Sequence, residues 1–192
     1  YPVISAFITS FQEYRPLGSR WVGLDNYIKT FRNDLFFKAL KNTFVYTVIT
    51  VSCSIFISFF IALMLMAFTK KFQIFYKAIF YLPGIASAVA LSFVWKWIFD
   101  PLPTGLMNSL VRLFGIQNQN WLGSSKTAMG CLIVMAVFSG LGSKIIIYTA
   151  ALLGLDNSYY EAADMDGATF LQKIRYIVWP LVKPTTVFLT IT

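Results

Sequence analysis

Three long apolar runs constrain this chain more than any other feature of its sequence. Thr43–Phe68 and Ala78–Trp95 contain no charged residue, and Thr127–Leu155 contains only Lys144. Each run is near or above the roughly 20 residues that a helix needs to cross a bilayer. We therefore predict an all-α, polytopic membrane protein rather than a soluble domain.

The composition agrees with this fold class, because 57% of the residues are hydrophobic and only 12% are charged. Two shorter apolar runs, Tyr1–Gln12 and Pro184–Thr192, are too short to span. We interpret them as parts of a first and a fifth span, so the sequence is expected to be a fragment that lacks everything after the fifth. The first run has neither the basic start nor the cleavage site of a signal peptide. A single transmembrane domain over 1–192 is predicted, with spans at about 1–12 (partial), 42–68, 78–98, 127–154 and 183–192 (partial).

The net charge of +8 does not indicate nucleic-acid binding, because the sixteen basic residues are spread over every loop between apolar segments. Cys53 and Cys131 lie in different apolar runs, and the chain contains no histidine. Neither a metal site nor a disulfide framework is expected from that arrangement. The sequence also has no glycine-rich phosphate loop of the Walker type and no catalytic constellation.

One polar segment with internal order, residues 156–180, lies between apolar runs. Ser158 and Glu161 have the spacing of a capping box, and so do Thr169 and Gln172. Gly167 stands where a helix needs a left-handed residue to end. The segment is therefore predicted to form two short helices joined at Gly167, and Pro180 should break or bend the helix that follows.

In this segment Glu161-Ala162-Ala163 is followed by Gly167, then by Ile177, Trp179 and Pro180. These residues resemble the EAA loop of ABC-importer permeases, although Trp179 replaces the leucine that usually precedes the proline. In that family the loop is cytoplasmic and docks as a coupling helix on an ATPase subunit. The resemblance implies that the ATPase-coupling residues are Glu161, Ala162, Ala163, Asp166, Gly167, Ile177 and Pro180. The alternative is a surface helix pair with no partner.

Other strings are similar to the maltose/glycerol-phosphate type of carbohydrate ABC importer. They are Val22–Tyr27, Phe80–Pro83, and the tryptophan-rich Trp95–Pro101, followed by Gly105 and Asn108. The resemblance implies a type I importer transmembrane domain in a bacterial inner (cytoplasmic) membrane, crossed several times. It also implies that the chain is not an enzyme and holds no cofactor, because ATP and Mg are bound by two partner ATP-binding subunits. A second homologous permease subunit, an extracytoplasmic solute-binding protein and the lipid bilayer complete the expected partners; nucleic acid is not among them.

The connections between the spans carry further expectations. Phe72–Lys77 is predicted to be a short loop, Pro83 to favour a local kink, and Leu106–Phe114 to form a short amphipathic helix. The resemblance places 69–77 in the cytoplasm and both 13–41 and 100–126 outside. Counting lysine and arginine would instead place 13–41 in the cytoplasm.

Lys144 is the one charged residue within the fourth predicted span. It lies about 16 Å along a helix axis from Leu155, near mid-membrane, where a lysine costs roughly 2.5–3.5 kcal/mol. The small residues Ser139, Gly140 and Ser143 beside it leave room for a ligand or another helix, and the resemblance implies that this segment contributes to the substrate pathway. The family often has a neutral polar residue at position 144, so the lysine suggests an anionic carbohydrate such as a uronate oligomer or a sugar phosphate. The alternative is a carboxylate partner on another segment or subunit.

Two other function classes require features that are not visible in this sequence. A membrane-embedded enzyme needs ionisable residues clustered at depth, and only Lys144 is of that kind. An ion-coupled secondary transporter needs intramembrane carboxylates or an inverted repeat, and neither is visible in the sequence. The substrate itself is not determined by the sequence, because the resembling family spans neutral sugars, oligosaccharides, sugar acids and glycerol phosphates.

Overall fold

The computed structural model describes residues 1–14 and 18–192, and these form two compact units, Tyr1–Thr47 and Val48–Thr192. The all-α prediction is confirmed for the described residues, whose strands amount to one two-residue pair. In chain order the elements are α1 Pro2–Ser10, β1 Gln12–Glu13, β2 Arg20–Trp21, α2 Asp25–Phe31, α3 Asp34–Met66, α4 Lys70–Ile85, α5 Ala88–Ile98, α6 Leu106–Leu113, α7 Ala128–Leu153, α8 Asn157–Met165, α9 Phe170–Lys173, the π-helical segment Ile174–Val178, and α10 Trp179–Ile191.

In the first unit, the short antiparallel pair β1–β2 and helix α2 are held against the end of α1. The side chain of Asn26 donates to the carbonyl of Ser10 at 2.9 Å, and the hydroxyl groups of Ser10 and Tyr27 lie 2.6 Å apart. The ring of Phe11 stacks on Trp21 at 5.6 Å. Hydrogen bonds and aromatic contacts therefore hold the segment Val22–Tyr27 against the end of α1.

Helix α3 begins at Asp34, earlier than the predicted start at residue 42. The side chain of Asn33 accepts a 2.9 Å hydrogen bond from the amide of Leu35, and Asp34 places a negative charge in the first turn. Both features stabilise a helix start, so the helix extends beyond its uncharged part. Within the described residues, α3 and α7 are long and apolar enough to cross a membrane.

The expectation of a loop over Phe72–Lys77 is wrong, because α4 begins at Lys70 and contains this segment. Pro83 lies inside α4 without ending it. The break comes after Ile85, where the hydroxyl of Ser87 accepts a 3.1 Å hydrogen bond from Ala90 and caps α5. The axes of α4 and α5 differ by 100°, so this pair is one broken span or a re-entrant segment. The chain leaves the helical conformation at Ala86 and Ser87, so the bend lies three residues after Pro83.

The core of the second unit has two buried apolar clusters, and α7 contributes to both. Tyr148 belongs to the first cluster and Leu141 to the second. Gly142 faces α4 at close range: a Cβ atom added there would lie 2.4 Å from the carbonyl oxygen of Phe80. Small residues at helix crossings allow such close backbone approach in membranes. The predicted amphipathic helix at 106–114 is confirmed as α6.

Candidate functional site

Two regions correspond to the predicted functional residues: the segment 156–180, which we call the coupling loop after its predicted role, and the part of α7 around Lys144. Helix α8 starts the coupling loop, and its N-cap is Asp156, whose carboxylate accepts a 2.9 Å hydrogen bond from the amide of Ser158. The capping box expected at Ser158 and Glu161 is therefore wrong. Ser158 lies inside the first turn, because the acidic side chain two residues earlier already caps the helix. The same hydrogen bond lowers the pKa of the exposed Asp156 carboxyl.

Gly167 ends α8 as predicted, with a φ of 69°. The amide of Gly167 donates to the carbonyl of Asp164 at 3.0 Å, and the amide of Ala168 donates to the carbonyl of Ala163 at 2.9 Å. This pair of bonds is a Schellman motif, which requires the left-handed conformation that glycine adopts without a steric penalty.

The second helix of the coupling loop begins with the predicted capping box. Thr169 accepts from the amide of Gln172 at 3.4 Å, and the Gln172 side chain accepts from the amide of Thr169 at 2.7 Å. Lys173 forms an ion pair with Asp164, across the turn at Gly167. The lysine side chain is 18% exposed and the aspartate 64%, so the ion pair links the inner side of one helix to the outer side of the other.

Pro180 does not break the helix, so that alternative of the prediction is wrong. Residues 170–191 run on as α9, the π-helical segment Ile174–Val178 and α10, with Pro180 and Pro184 inside the helical run. A proline ring clashes with the carbonyl of the residue four positions earlier in an ordinary α-helix. The wider turn of Ile174–Val178 comes just before Pro180 and includes Tyr176, the residue whose carbonyl such a clash would involve.

The predicted coupling residues do not share one environment. Glu161, Ala162 and Asp166 are exposed, and so are Gly167 and Pro180. Ala163 is only 8% exposed and belongs to the buried core, and Ile177 is half-buried. Ala163 therefore packs inside this chain and is not presented on its surface.

Three aromatic residues connect the base of the coupling loop to the spans. The ring of Trp179 packs edge-on against Phe59 of α3 at 5.2 Å, and Phe59 packs edge-on against Tyr148 of α7 at 5.6 Å. Phe59 and Tyr148 are almost completely buried. Sequence reasoning missed both, since nothing in a uniformly apolar run distinguishes these two rings from their neighbours.

An apolar groove of about 850 Å³ lies between the coupling loop and the C-terminal ends of α3 and α7. Side chains of both spans line it, including Met64 and Leu152, together with Tyr160, Leu171 and Lys173 of the coupling loop. The loop is thus packed on the spans through Trp179 on one side and separated from them by the groove on another.

The side chain of Lys144 lies along α7 toward the N-terminus of the helix. Its Nζ atom is 3.4 Å from the position that a Cβ atom of Gly140 would occupy, so the ammonium group lies beside this glycine. In the described residues, no carboxylate lies within ion-pair distance of Lys144. Ser139 and Ser143 donate to carbonyls of their own helix, at 2.8 and 3.4 Å. The predicted polar face is therefore contributed chiefly by the lysine.

Comparison with known proteins identifies the family. The family model described as "Binding-protein-dependent transport system inner membrane component" matches residues 35–192. The chain is 35% identical to the arabinooligosaccharides transport system permease protein AraP of Bacillus subtilis (strain 168), over 98% of this chain and 60% of that protein. It is 33% identical to the polygalacturonan/rhamnogalacturonan transport system permease protein YteP of the same organism, over 100% of this chain and 61% of that protein.

A solved structure has the same fold. It is a chain of a bacterial ABC transporter involved in the import of the acidic polysaccharide alginate, with a TM-score of 0.84 and 25% identity over 98% of this chain and 63% of that chain. The chain thus spans about 60% of the length of the curated relatives that it matches. These matches confirm the resemblance to ABC-importer permeases that residues 156–180 carried, and the carbohydrate type that strings such as Val22–Tyr27 indicated. The chain belongs to the family of binding-protein-dependent transport system inner membrane components.

Proposed function

We propose that this chain forms half of the translocation pathway of an ATP-driven, binding-protein-dependent importer of carbohydrates. The observation that carries the proposal is the coupling loop, in which a Schellman turn and a capping box present Glu161, Ala162 and Asp166 at the ends of two apolar spans. The permease relatives with carbohydrate names support it.

The proposed assembly also contains ATP-binding subunits, a second permease subunit and a solute-binding protein. Two ATP-binding subunits would hold ATP and Mg and dock on the exposed side of α8. A second, homologous permease subunit would complete the pathway, and an extracytoplasmic solute-binding protein would deliver the substrate. The chain would be part of a multi-pass protein of the bacterial inner membrane. Residues 69–77 and 156–180 would lie in the cytoplasm, and residues 100–126 outside.

The packing of the coupling loop suggests how ATP hydrolysis would drive transport. When the ATPase subunits close, they displace the docked helix α8. The ion pair between Lys173 and Asp164 makes α8 and α9 move together, and Trp179 transmits the displacement to Phe59 of α3. The spans then rotate against the second permease subunit and open the pathway alternately to the two sides of the membrane.

The environment of Lys144 favours an anionic carbohydrate as substrate. Its ammonium group sits over Gly140 with no carboxylate partner among the described residues, and a lysine at membrane depth costs roughly 2.5–3.5 kcal/mol. A carboxylate or phosphate on the substrate would offset that cost. The fold match to an importer of an acidic polysaccharide supports this choice. The competing explanation is a carboxylate on the second permease subunit or on a segment outside this sequence.

Two experiments test the proposal. Co-purification of an ATPase subunit with the full-length permease tests the assembly, and Ala162→Trp should abolish it by blocking close approach at an exposed position. Failure of any ATPase subunit to co-purify with the unaltered transporter would refute the proposed function.

The second experiment concerns the substrate. Lys144→Gln should reduce transport of a uronate oligomer at least tenfold more than transport of a neutral oligosaccharide. Lys126→Gln, at an exposed position just before α7, is the matched control and should change neither. Equal losses for the acidic and the neutral substrate would instead assign Lys144 to a structural ion pair.

A further inference from the structure

Asn108 of α6 is a fully buried polar residue, and the proposed transport mechanism does not use it. Its Nδ2 atom donates to the carbonyls of Asp100 and Pro101, at 3.0 and 2.9 Å, and to that of Gln119 at 3.1 Å. Its Oδ1 atom accepts from the amide of Gln119 and from Nε1 of Trp121, both at 2.9 Å. One side chain therefore joins both ends of the segment 100–121, which we call the outer loop.

Neighbouring residues also stabilise the conformation in which the two ends of the outer loop are joined. A Cβ atom at Gly105 would lie 2.4 Å from the carbonyl oxygen of Asp100, so the tight turn before α6 leaves room only for glycine. The hydroxyl of Thr127 donates to the carbonyl of Trp121 at 2.6 Å and ties the outer loop to the start of α7. Replacing Asn108 with alanine would leave several buried backbone groups without partners, and such groups are costly to bury.

The outer loop presents a surface of mixed chemistry. Leu113 and Phe114 are about four-fifths exposed, and a shallow cavity of about 540 Å³ beside them is lined by Arg112 and Ile116, together with Pro103, Gly115, Gln117 and Asn118. No described carboxylate pairs with Arg112. Exposed aromatic and aliphatic side chains around an unpaired arginine are typical of the centre of a protein–protein interface. The partner that fits this surface carries a carboxylate beside apolar side chains.

We propose that Asn108 is a positioning residue: it holds the outer loop in the shape onto which the solute-binding protein of the system docks. The inference rests on the proposed function, and the family description, which is of binding-protein-dependent transport, supplies the partner. A loop that is already ordered loses less conformational entropy when it binds. Loosening the outer loop should therefore weaken docking while the translocation machinery beneath it stays intact.

The test uses the complete transporter, with full-length permease subunits and ATPase subunits in lipid nanodiscs, and the substrate-loaded binding protein. ATPase activity is measured as a function of binding-protein concentration. Asn108→Ala should raise the concentration for half-maximal stimulation about tenfold, as expected for the loss of one or two buried hydrogen bonds. The maximal stimulated rate should be retained.

Two further variants keep the test informative if Asn108→Ala assembles poorly. Trp121→Phe removes a single hydrogen bond to Asn108 and keeps the ring, so it should raise the half-maximal concentration about two- to threefold. Asn120→Ala is the matched control: Asn120 is exposed in the same loop, its side chain bonds only the nearby turn at Gly123 among the described contacts, and its half-maximal concentration should not change.

The outcomes separate the possible explanations. An unchanged half-maximal concentration in both Asn108→Ala and Trp121→Phe would overturn the inference, and so would a fall in maximal rate alone, which indicates a purely structural role. Arg112→Glu should also raise the half-maximal concentration. If it does not, the exposed face of α6 lies against the bilayer and the docking surface is elsewhere. A wild-type transporter that no binding protein stimulates would refute the proposed function itself.

Discussion

The hydroxyl group of Tyr148 donates a 3.0 Å hydrogen bond to Oγ1 of Thr186, and this bond joins α7 to α10. Thr186 in turn donates to the carbonyl of Val182 at 3.1 Å, so its hydroxyl is satisfied on both sides. Tyr148 lies one helical turn after Lys144, and α10 continues directly from the coupling loop. The span that carries the candidate substrate residue is thus hydrogen-bonded to the helix that leaves the candidate ATPase contact.

Removing this hydroxyl should weaken the connection between the two helices. Tyr148→Phe should lower the free energy of unfolding by about 0.6–2 kcal/mol, the range for a hydrogen bond between membrane helices. Tyr148→Ala should cost about 3–5 kcal/mol, because it also leaves a cavity beside Phe59. Thermal unfolding of the purified transporter measures both. Tyr159→Phe, at an exposed position in α8, is the control, and a loss as large as that of Tyr148→Phe would contradict the assignment.

The close crossing of α4 and α7 should tolerate no side chain at Gly142. Gly142→Ala would place a methyl group 2.4 Å from the Phe80 carbonyl oxygen, so the helices must separate, at a cost of about 1–3 kcal/mol. Gly130→Ala is matched in chemistry and helix, but nothing lies within 4 Å of its added methyl group. Yield from the membrane and unfolding temperature should fall for position 142 only. Equal behaviour of the two variants would show that the crossing is looser than described.

Gly167 should be required for coupling and not for folding of the spans. Its φ of 69° costs other residues about 1–2 kcal/mol, and Gly167→Val would shift α8 relative to α9 to avoid that cost. We expect loss of ATP-driven transport with normal insertion of the permease. Gly115 has a similar φ of 73° in the outer loop. Gly115→Val therefore reproduces the backbone strain elsewhere, and it should leave ATPase co-purification intact. Loss of co-purification in both variants would point to general misfolding.

The bend between α4 and α5 makes the topology testable. If the pair is one broken span, residues before α4 and after α5 lie on opposite sides of the membrane. A single cysteine at Asn118 should then react with an impermeant thiol reagent in intact cells, and a cysteine at Lys71 only after lysis. Cys53 and Cys131 would first be replaced by alanine. Labelling of both positions from the same side would identify a re-entrant segment and would reverse the proposed orientation of one loop.

The sequence predicted well those structural features that depend on residues close together in the chain. Gly167 and the Thr169–Gln172 box are determined by residues within a few positions of one another, and both are where the sequence placed them. The start of α8 was mistaken because Asp156 competes with Ser158 for the cap. Ala163 proved to be buried, which the local pattern of the motif did not indicate.

Contacts between distant residues were beyond the reach of pattern reasoning. Tyr148 and Thr186 are 38 residues apart, and the Trp179–Phe59 contact joins the coupling loop to a span far from it in sequence. In a soluble domain, the apolar residues of each helix mark its buried side and the polar residues mark its exposed side. Here almost every position of α3 and α7 is apolar, so the pattern carries little information on which side faces another helix and which faces lipid.

Because Ile174–Val178 forms a π-helical turn, the number of residues in this segment determines the direction in which the helix before it faces. An ordinary α-helix turns by about 100° per residue, so a chain one residue shorter here could close its hydrogen-bond ladder regularly only by rotating everything before it by that angle about the axis of α10. Glu161 and Ala162 would then point away from the direction in which they are now exposed, although Glu161-Ala162-Ala163 and Gly167 would still be present. A sequence can therefore keep this first part of the pattern and still lose the surface that it forms, through a single deletion several residues downstream.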